Sequence, residues 1–596
     1  MPVVEPRFRW VFSPAVAVSP DLSAAASTRG VSDRMLEVLV ARGVTDRTDL
    51  DAWFHEPLDA LHDPGRLPDI DRLLERLATA RARGERVMVF GDFDADGLTG
   101  LTILVLALRR YGLAVEPYVP SRLEEGHGLS LAAIDAAERA GVTLIVTVDC
   151  GTTSHAEIAA ASARGIDVIV TDHHRVPPEL PPAVAVVNPH RPDATYPDRR
   201  LAGSGVAFKV AQAVLAEEPG GPAAALSLAD LATIGSVADV APIIGENRAI
   251  ARLGLERMRT APRPGIAALL ARSRVEPAAA DLETVAFAIA PRLNAAGRVG
   301  DGWEAARLLL AGTSEDAERH ADALEAANAA RRDLMKQGVA DARALVDETA
   351  TPAATVVKGP WSVGIVGLVA ARLAEDLGRP AVVGADLGDV IRASCRSDGA
   401  LDLGATLERC ADLFTRYGGH AGAAGFELPA ERWTEFERRF LALAAEAAPR
   451  DPRATLRVDL ATPALGVDYA LLREFAALAP TGPGNPDPLI AVLGLTVTRV
   501  REANGGHSQL TLKRALDVLD GIAFGRPDLA ASVQEGDVLD VVARLVSRTF
   551  GGFETLQLEI RDAATSGLHD EAIAAARRSG PAGAGQPGAA LAGTAS

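Results

Sequence analysis

Cysteine is scarce in this sequence, and its scarcity excludes several classes of protein. The three cysteines, Cys150, Cys395 and Cys410, are too few for a disulfide framework and form no CxxC metal motif. We therefore expect free thiols and a reducing compartment, the cytoplasm.

Long hydrophobic runs and net positive charge are also missing. No run of about 18 apolar residues occurs, and the N-terminal MPVVEPRFRWVF lacks the apolar stretch of a signal peptide, so we expect neither a membrane nor a secreted protein. With 61 basic and 79 acidic residues, the formal charge is −18. Because nothing global attracts a polyanion, a nucleic-acid site must be local and helped by metal ions.

The sequence consists of several segments with different hydrophobic patterns. A chain of 596 residues is long enough for several domains, and its 48% hydrophobic content is enough to form their cores. Together these segments predict a multidomain α/β protein. The segments are a helical region over 1–80, a doubly wound parallel sheet over 81–250, a helical connector over 251–350 ending in a long helix, a smaller α/β domain over 351–450, a β-barrel over 455–565, and a tail over 566–596 whose low-complexity end from Ser579 is expected to be disordered.

Acidic and histidine side chains follow the predicted parallel strands. They are Asp92, Asp94 and Asp96 after VMVF, Asp149 after TLIVTV, Asp172, His173 and His174 after DVIV, and Asp239 at the end of the apolar stretch LADLATIGSVADV. Ligands bind outside the carboxyl ends of such strands, so these groups should converge.

So many carboxylates in one cleft require divalent cations, because their mutual repulsion would otherwise raise their pKa values. Carboxylates with imidazole and no thiolate suit Mg²⁺ or Mn²⁺. Two such ions could clamp both oxygens of a phosphoryl displacement, with a metal-bound water as nucleophile. The pattern therefore predicts phosphodiester hydrolysis.

Other interpretations of these acids are weaker. An EF-hand loop starting at Asp92 would need a bidentate Glu where Ile103 stands. An aspartyl-nucleophile phosphatase of the haloacid dehalogenase type would leave the paired histidines incidental. Asp149 alone could be a helix N-cap, but three strand ends carry acids together.

The two histidines should have different roles, because adjacent residues of an extended segment point to opposite faces. One should bind metal, and the other should face the substrate or the second ion. Asp172 either orients an imidazole or caps the following turn. His127 has no partner pattern and is expected at the surface or satisfied in a core.

Several motifs resemble a known family. GDFDADG, VDCGTTSHAEI, TDHH and ADV look like the four phosphoesterase motifs of the DHH superfamily. VPSRLEEGHGLS, VVNPHRPD, APRLNAAGRVGD, RYGGHAGAAGF and PTGPGNPDPL extend the similarity to the RecJ family of bacterial single-strand-specific exonucleases, over about residues 30 to 562. Phe93 stands in the first motif where Tyr or another hydrophobe is common, and its side chain is expected to point away from the acids.

The resemblance implies a 5′→3′ exonuclease that degrades single-stranded DNA to nucleotides with two Mn²⁺ or Mg²⁺ ions, in recombination and repair. It implies that Asp94 and Asp96 each bind one ion, that Asp149 bridges them, and that His173 and Asp239 complete one site. His174 would serve the other ion or the scissile phosphate, and Asp92 would be a nearby ligand or would support the ligands. A monomer working with a helicase and a single-strand-binding protein is expected.

Substrate-holding residues are expected on both α/β domains, the second of which resembles a DHHA1 domain. Arginine forks bind a terminal phosphate bidentately, and Arg122, with Ser394 and Arg396, is the candidate group. Gly418, Gly419 and His420 could bring backbone N–H groups to a phosphate or form a plain turn. Arg298 lines the path between the two domains or forms a structural ion pair.

The predicted barrel resembles an OB-fold, a usual platform for single strands. Its aromatics Phe524, Phe550 and Phe553 could stack on bases or fill the barrel. A barrel of this kind favours a polymeric substrate. The alternatives are a DHH phosphodiesterase of short oligoribonucleotides or cyclic dinucleotides, and a non-catalytic DNA-binding relative, against which the intact acid and histidine set argues.

Overall fold

The computed structural model describes residues 3–14, 17–122, 125–346, 352–397, 399, 401–447, 453–514, 517–550 and 553–578. These residues form two compact units. One unit joins the described residues of 1–55 with those of 450–589, and the other comprises the described residues of 56–449. The stretch expected as one helical region over 1–80 is thus divided between the two units.

The strands are β1 (Arg9–Phe12), β2 (Arg86–Gly91), β3 (Ala114–Tyr118), β4 (Leu144–Val148), β5 (Asp167–Thr171), β6 (Ala185–Val187), β7 (Thr355–Gly359), β8 (Ala381–Asp386), β9 (Val390–Arg396), β10 (Arg416–Gly419), β11 (Ala423–Pro429), β12 (Thr455–Val458), β13 (Leu460–Pro463), β14 (Leu489–Ala503), β15 (His507–Arg514), β16 (Asp517–Ala523), β17 (Val538–Phe550) and β18 (Phe553–Thr565).

The α-helices are α1 (Pro20–Thr28), α2 (Asp33–Ala41), α3 (Arg47–Trp53), α4 (Ile70–Arg83), α5 (Ala95–Arg110), α6 (Leu131–Arg139), α7 (His155–Ala163), α8 (Gly203–Leu215), α9 (Gly221–Leu226), α10 (Ala229–Ala238), α11 (Gly245–Thr260), α12 (Pro264–Arg272), α13 (Leu282–Thr284), α14 (Ala290–Val299), α15 (Trp303–Leu310), α16 (Ser314–Ala344), α17 (Val363–Leu377), α18 (Leu403–Glu408), α19 (Trp433–Ala447), α20 (Tyr469–Ala476), α21 (Pro527–Ser532) and α22 (Asp570–Arg578).

The first sheet of the larger unit is parallel throughout, in the order β3-β2-β4-β5-β6. Its strands are covered on both faces, since Val87 and Val89 of β2 enter one hydrophobic core while Met88 and Phe90 enter another. The chain adds β3 on one side of β2 and then β4, β5 and β6 on the other. Doubly wound sheets bind ligands at such a switch, which here lies between β2 and β4. This confirms the predicted fold of the segment.

The connector and the second α/β domain follow within the same unit. The connector is helical and ends in the 31-residue helix α16. The second sheet has the order β10-β11-β9-β8-β7, and only β7 and β8 pair in parallel. Separate cores form on its two faces, around α19 on one side and α17 on the other.

The smaller unit contains a closed barrel built from β14, β15, β16, β18 and β17, with β17 pairing back to β14. The N-terminal segment belongs to this unit because β1 pairs in parallel with β12. The buried carboxylate of Asp562 accepts hydrogen bonds from the indole of Trp10, at 2.8 Å, and from Arg526, at 3.2 Å. The expected OB-type barrel is confirmed.

Residues 221–238 are long and apolar enough to cross a membrane by length and composition. This 18-residue stretch has a mean hydropathy of 1.3, and 61% of it is buried inside the protein. It contains α10, which packs on α5 and α8 in the manner of a core helix. The expected disorder from Ser579 onward lies outside the described residues, as do the side chains of Phe550 and Phe553.

Candidate metal centre and active site

The acidic residues that precede α5 are fixed by helix ends. Asp94 is the N-cap of α5, and its carboxylate accepts hydrogen bonds from the backbone N–H groups of Asp96, at 3.0 Å, and Gly97, at 3.1 Å. The carboxylate of Asp96 in turn accepts the N–H groups of Gly203, at 2.7 Å, and Ser204, at 3.0 Å, which begin α8. Two helix N-termini therefore stabilise the negative charge here.

Asp149 and His173 form the buried centre of the site. Asp149 follows β4 with a left-handed backbone (φ 62°), and its Oδ1 lies 3.0 Å from Nε2 of His173. The geometry is not that of a hydrogen bond, so both buried atoms lack a partner among the described residues. Such a pair of facing, unsatisfied donor atoms fits a shared divalent cation.

Two overlapping groups of possible metal ligands meet at His173. One consists of Asp149, His173 and His174, and the other of Asp96, His173 and Asp239, with the ligand atoms of each within 4.8 Å of one another. Nε2 of His173 lies 3.9 Å from both Asp96 and Asp239. Neither group contains Asp94, so its implied role as a ligand stays a prediction.

The pKa values of these groups reflect an acid-rich, buried site. Loss of hydration, followed by the charge of Asp96, raises the pKa of Asp239, whose side chain is still 38% exposed, to about 7, and raises that of the buried Asp149 well above its usual range. Burial and the charges of Asp92 and Asp96 raise the pKa of Asp94. Carboxyl groups with raised pKa values are those that a bound cation would return to the ionised state.

His174 is held by Asp172. Nδ1 of His174 lies 2.8 Å from Oδ1 of Asp172, which also accepts the backbone N–H groups of both histidines. The hydrogen bond to Asp172 raises the pKa of His174 to about 9. Burial opposes ionisation of Asp172, but the bond from His174 and the charges of both histidines outweigh it and lower its pKa. Asp172 therefore both orients the imidazole and caps the turn.

Asp92 has a partner that the sequence analysis missed. Its Oδ2 lies 3.0 Å from Nδ1 of His127, whose ring packs on Phe93 with centroids 4.4 Å apart. The guanidinium of Arg122 lies over the ring of Phe93, 4.8 Å from its centroid. The surface position expected of His127 is confirmed, but its contact with Asp92 was not predicted; the contact forms because the loop after β3 folds back over the first motif. The ring of Phe93 is buried against His127 and Arg122, and the expectation that it points away from the acids stays a prediction.

Arginines from the two α/β domains and from the connector lie near one another. Burial and then the charges of Arg122, Arg331 and Arg396 lower the pKa of Arg298 to about 9, and burial with the charge of Arg122 lowers that of Arg396. Arg298 donates to the carbonyl of Gly364 at 3.2 Å and has no ion pair among the described residues. The structural ion pair considered for Arg298 is not seen among these residues, and its place along the strand path stays a prediction.

Ser394 and Arg396 converge beside the second sheet. A Cβ built on Gly367 of α17 would lie 3.2 Å from Nη2 of Arg396 and 3.4 Å from Oγ of Ser394. Gly418 and Gly419 lie on β10, the exposed edge strand of this sheet, and the N–H of His420 donates to the carbonyl of Ala423 at 2.8 Å.

Supporting residues complete the site. Oδ1 of Asn294 accepts the N–H of Ala95 at the start of α5, at 2.8 Å. Asn188 donates to the carbonyl of His174 at 2.9 Å. A Cβ at Gly203 would lie 2.6 Å from Cβ of Asp149, so only glycine fits there. Asn294 and Asn188 belong to the APRLNAAGRVGD and VVNPHRPD motifs, but nothing in the spacing of these motifs predicts the contacts.

Family comparisons agree with this architecture. Residues 86–236 match the DHH family, N-terminal domain, residues 351–447 match the DHHA1 domain, and residues 458–562 match the RecJ OB domain.

Relatives and solved structures match over most of the chain. The single-stranded-DNA-specific exonuclease RecJ of Bacillus subtilis is 33% identical over 543 residues, which are 90% of this chain and 68% of that protein. The crystal structure of Thermus thermophilus RecJ in complex with Mn²⁺ has a TM-score of 0.80 at 30% identity, covering 94% of this chain and 79% of that one. Its complex with Mg²⁺ has a TM-score of 0.75 at 29% identity, covering 94% and 78%. The chain therefore belongs to the RecJ family.

Proposed function

We propose that this chain is a divalent-metal-dependent exonuclease that hydrolyses single-stranded DNA in the 5′→3′ direction and releases mononucleotides. The observation that carries the proposal is the facing pair Asp149 Oδ1 and His173 Nε2, both buried and unsatisfied at 3.0 Å, inside a RecJ-family chain. The family's solved structures with Mn²⁺ and Mg²⁺ support the same ions here.

The metal ligands that we propose are Asp94, Asp96, Asp149, His173 and Asp239, shared between two ions. When bound, divalent ions supply Lewis acidity and lower the pKa of a water molecule toward neutrality. The protein's own groups hold the site residues in position. The backbone N–H groups of Gly203 and Ser204 fix the carboxylate of Asp96, and Asp172 fixes the imidazole of His174.

His174 is suited to contact the scissile phosphate. Its hydrogen bond to Asp172 raises its pKa to about 9, so the imidazole is protonated at neutral pH and donates to an anionic oxygen. Asp92 is suited to a supporting role, since its carboxylate bonds to His127 and to the N–H of Phe93.

The 5′ polarity of the proposal depends on a phosphate clamp. Arg122, Ser394 and Arg396 would hold the terminal phosphate, with Arg298 along the strand path. The convergence of Ser394 and Arg396 beside Gly367, and the repulsion between Arg122 and Arg396, support an anion there. The backbone of Gly418, Gly419 and His420 is proposed to contact the substrate on exposed β10.

The cellular setting follows from the substrate. A monomeric, cytoplasmic enzyme that needs single strands would work with a helicase that separates duplex DNA and with a single-strand-binding protein, in recombination and repair. The buried, free thiols of the three cysteines suit a reducing compartment.

The test is digestion of a long DNA strand labelled at its 5′ or its 3′ end, with Mn²⁺ or EDTA, beside a blunt duplex and a short oligoribonucleotide. We expect immediate release of the 5′ label as mononucleotide, only with metal and only from the single strand, and loss of activity in Asp96→Ala. Consumption of the short oligoribonucleotide alone would overturn the proposal in favour of a small-substrate phosphodiesterase. DNA binding without cleavage would favour a non-catalytic relative.

A further inference from the structure

The carboxylate of Glu125 joins the two ends of the segment between β3 and α6. This segment, the β3–α6 connection, comprises the described residues 119–122 and 125–130. Oε1 of Glu125 accepts the backbone N–H of Ser121 at 2.8 Å, and the N–H of Glu125 donates to the carbonyl of Ser121, also at 2.8 Å. Oε2 accepts the hydroxyl groups of Tyr118, at 3.2 Å, and of Ser130. One side chain is therefore bonded to the end of β3 and to the start of α6.

The donors around this carboxylate are themselves fixed. Oγ of Ser130 is the N-cap of α6 and accepts the N–H of Ala133 at 3.0 Å, which leaves its single hydrogen for Glu125. The ring of Tyr118 stacks on Phe90 with centroids 5.6 Å apart. Burial and then the charge of Glu125 raise the pKa of Tyr118 to about 12, so its hydroxyl stays a donor. Hydrogen bonds to an ionised carboxylate are stronger than neutral ones.

Arg122 lies in the part of the connection that Glu125 holds. Its guanidinium lies over the ring of Phe93, 4.8 Å from the centroid, and no hydrogen bond or ion pair with another described residue fixes it. Burial lowers the pKa of Arg122, and the charges of Asp94 and then Asp92 oppose this shift, so the guanidinium lies near the acids of the first motif. Its place there depends on the backbone that carries it.

The other end of the connection has anchors of its own. Gly126 and Gly128, on either side of His127, have left-handed backbones with φ of 78° and 86°, which reverse the chain. Nδ1 of His127 lies 3.0 Å from Oδ2 of Asp92, and Leu129 is buried in a hydrophobic core. Loss of the Glu125 carboxylate should therefore release the backbone at Arg122 more than that at His127.

We propose that Glu125 is a positioning residue for recognition of the strand's 5′ phosphate, because it sets the place of Arg122 through the β3–α6 connection. The proposal rests on the proposed function, in which Arg122 belongs to the phosphate clamp. A guanidinium fork binds phosphate in a defined orientation, and a misplacement of about 1 Å costs up to about 100-fold in rate. Glu125 then determines how strongly the enzyme prefers a 5′-phosphorylated strand to a 5′-hydroxyl strand.

The experiment measures this preference in the full chain. The variants are Glu125→Ala, Glu125→Gln, Arg122→Ala and the double variant Glu125→Ala/Arg122→Ala. Glu138→Ala is the matched control, because Glu138 lies on the neighbouring helix α6, is 59% exposed and pairs with Arg164. Each protein is assayed with Mn²⁺ on one oligothymidylate bearing a 5′ phosphate or a 5′ hydroxyl. Binding of both strands in Ca²⁺ and the melting temperature are measured beside it.

We expect Glu125→Ala to lower the ratio of kcat/KM for the phosphorylated over the hydroxyl strand about 10- to 100-fold, with little change on the hydroxyl strand. Glu125→Gln should recover most of this ratio, because the amide still accepts from Ser121 and donates to the two hydroxyl oxygens. The double variant should have the same ratio as Arg122→Ala, since Glu125 acts through Arg122. Glu138→Ala should match the wild type.

Three results would overturn the proposal: an unchanged ratio in Glu125→Ala, an equal loss on both strands with a lower melting temperature, or a double variant whose ratio falls below that of Arg122→Ala. If Glu125→Ala does not fold, Tyr118→Phe decides, because it removes one donor and keeps the ring; a lowered ratio supports the role and an unchanged one refutes it.

The wild type separates this role from the proposed function. If the wild type fails to cut single-stranded DNA, the proposed function fails by itself, and the ratio of the two dissociation constants in Ca²⁺ still tests Glu125. If the wild type cuts and binds both strands equally well, the enzyme acts on single strands without a phosphate clamp, and the role of Glu125 is refuted with the clamp.

Discussion

Nδ1 of His174 lies 2.8 Å from Oδ1 of Asp172, and the same oxygen accepts the backbone N–H groups of His173 and His174. One buried carboxylate thus fixes both the orientation of the His174 imidazole and the turn that carries the two histidines. Because His173 points to Asp149 while His174 points to Asp172, the two imidazoles are set in different environments by a single residue.

Asp172→Asn should separate orientation from metal binding. The variant removes the charge that holds the pKa of His174 at about 9, so this pKa should fall toward its ordinary value. We expect kcat/KM to fall about 10–100-fold, with Mn²⁺ affinity measured by calorimetry changing much less. Unchanged activity at neutral pH would contradict a role for the orientation of His174.

Gly203→Ala should damage the metal centre without touching a ligand. The added Cβ would lie 2.6 Å from Cβ of Asp149, so either that side chain or the start of α8 must move. We expect Mn²⁺ affinity to fall by at least about tenfold. Gly205→Ala is the control on the same helix, since its Cβ would meet only the side chain of Leu201 at 3.3 Å. Equal Mn²⁺ affinities in the two variants would refute the argument.

The parts of the site that follow strand periodicity were predictable, and the rest was not. Asp92, Asp149 and Asp172 follow β2, β4 and β5, whose neighbouring positions in a parallel sheet bring their ends together. The contact between His127 and Asp92 depends on the path of a loop, which no periodicity encodes.

Pairing between strands that are far apart in the sequence could not be predicted either. Strand β1 is four residues long and pairs with β12, so that Arg9 and Thr455 are bonded across 446 residues. Hydrophobic periodicity identifies amphipathic elements but not their pairing partners. For this reason the segment is predicted only as the start of a helical region. The buried acceptor Asp562, which holds Trp10, lies even further along the chain.

Metal-free protein should lose stability as pH rises. Asp94, Asp149 and Asp239 have folded-state pKa values raised above their unfolded values, so the folded state binds more protons and stability falls as pH rises through the raised values, about 7 for Asp239. The pKa of His174, raised to about 9, acts in the same direction, because its contribution is lost as pH rises through that value.

Thermal melts check this pH dependence. In EDTA the melting temperature should fall between about pH 6 and about pH 8, and the increment given by Mn²⁺ should grow over that interval because cations replace protons. Asp239→Asn should flatten part of the fall. A melting temperature in EDTA that rises with pH over this interval would contradict the prediction, because it would show that ionisation of the acids in the site does not lower the free energy of unfolding.

Phe524 should act as a base-stacking side chain of the barrel. It follows β16 with 54% of its surface exposed, and its ring meets that of His507 edge-on, with centroids 5.2 Å apart. An exposed aromatic on an OB-type barrel stacks on bases, and removing it costs about 1–3 kcal/mol of binding. We therefore expect Phe524→Ala to weaken single-strand binding about 5- to 150-fold while leaving Mn²⁺ affinity unchanged. Val518→Ala is the matched control, because Val518 lies on β16 and is 58% exposed but offers no ring. If both variants bind single strands as the wild type does, the strand passes over another face of the barrel.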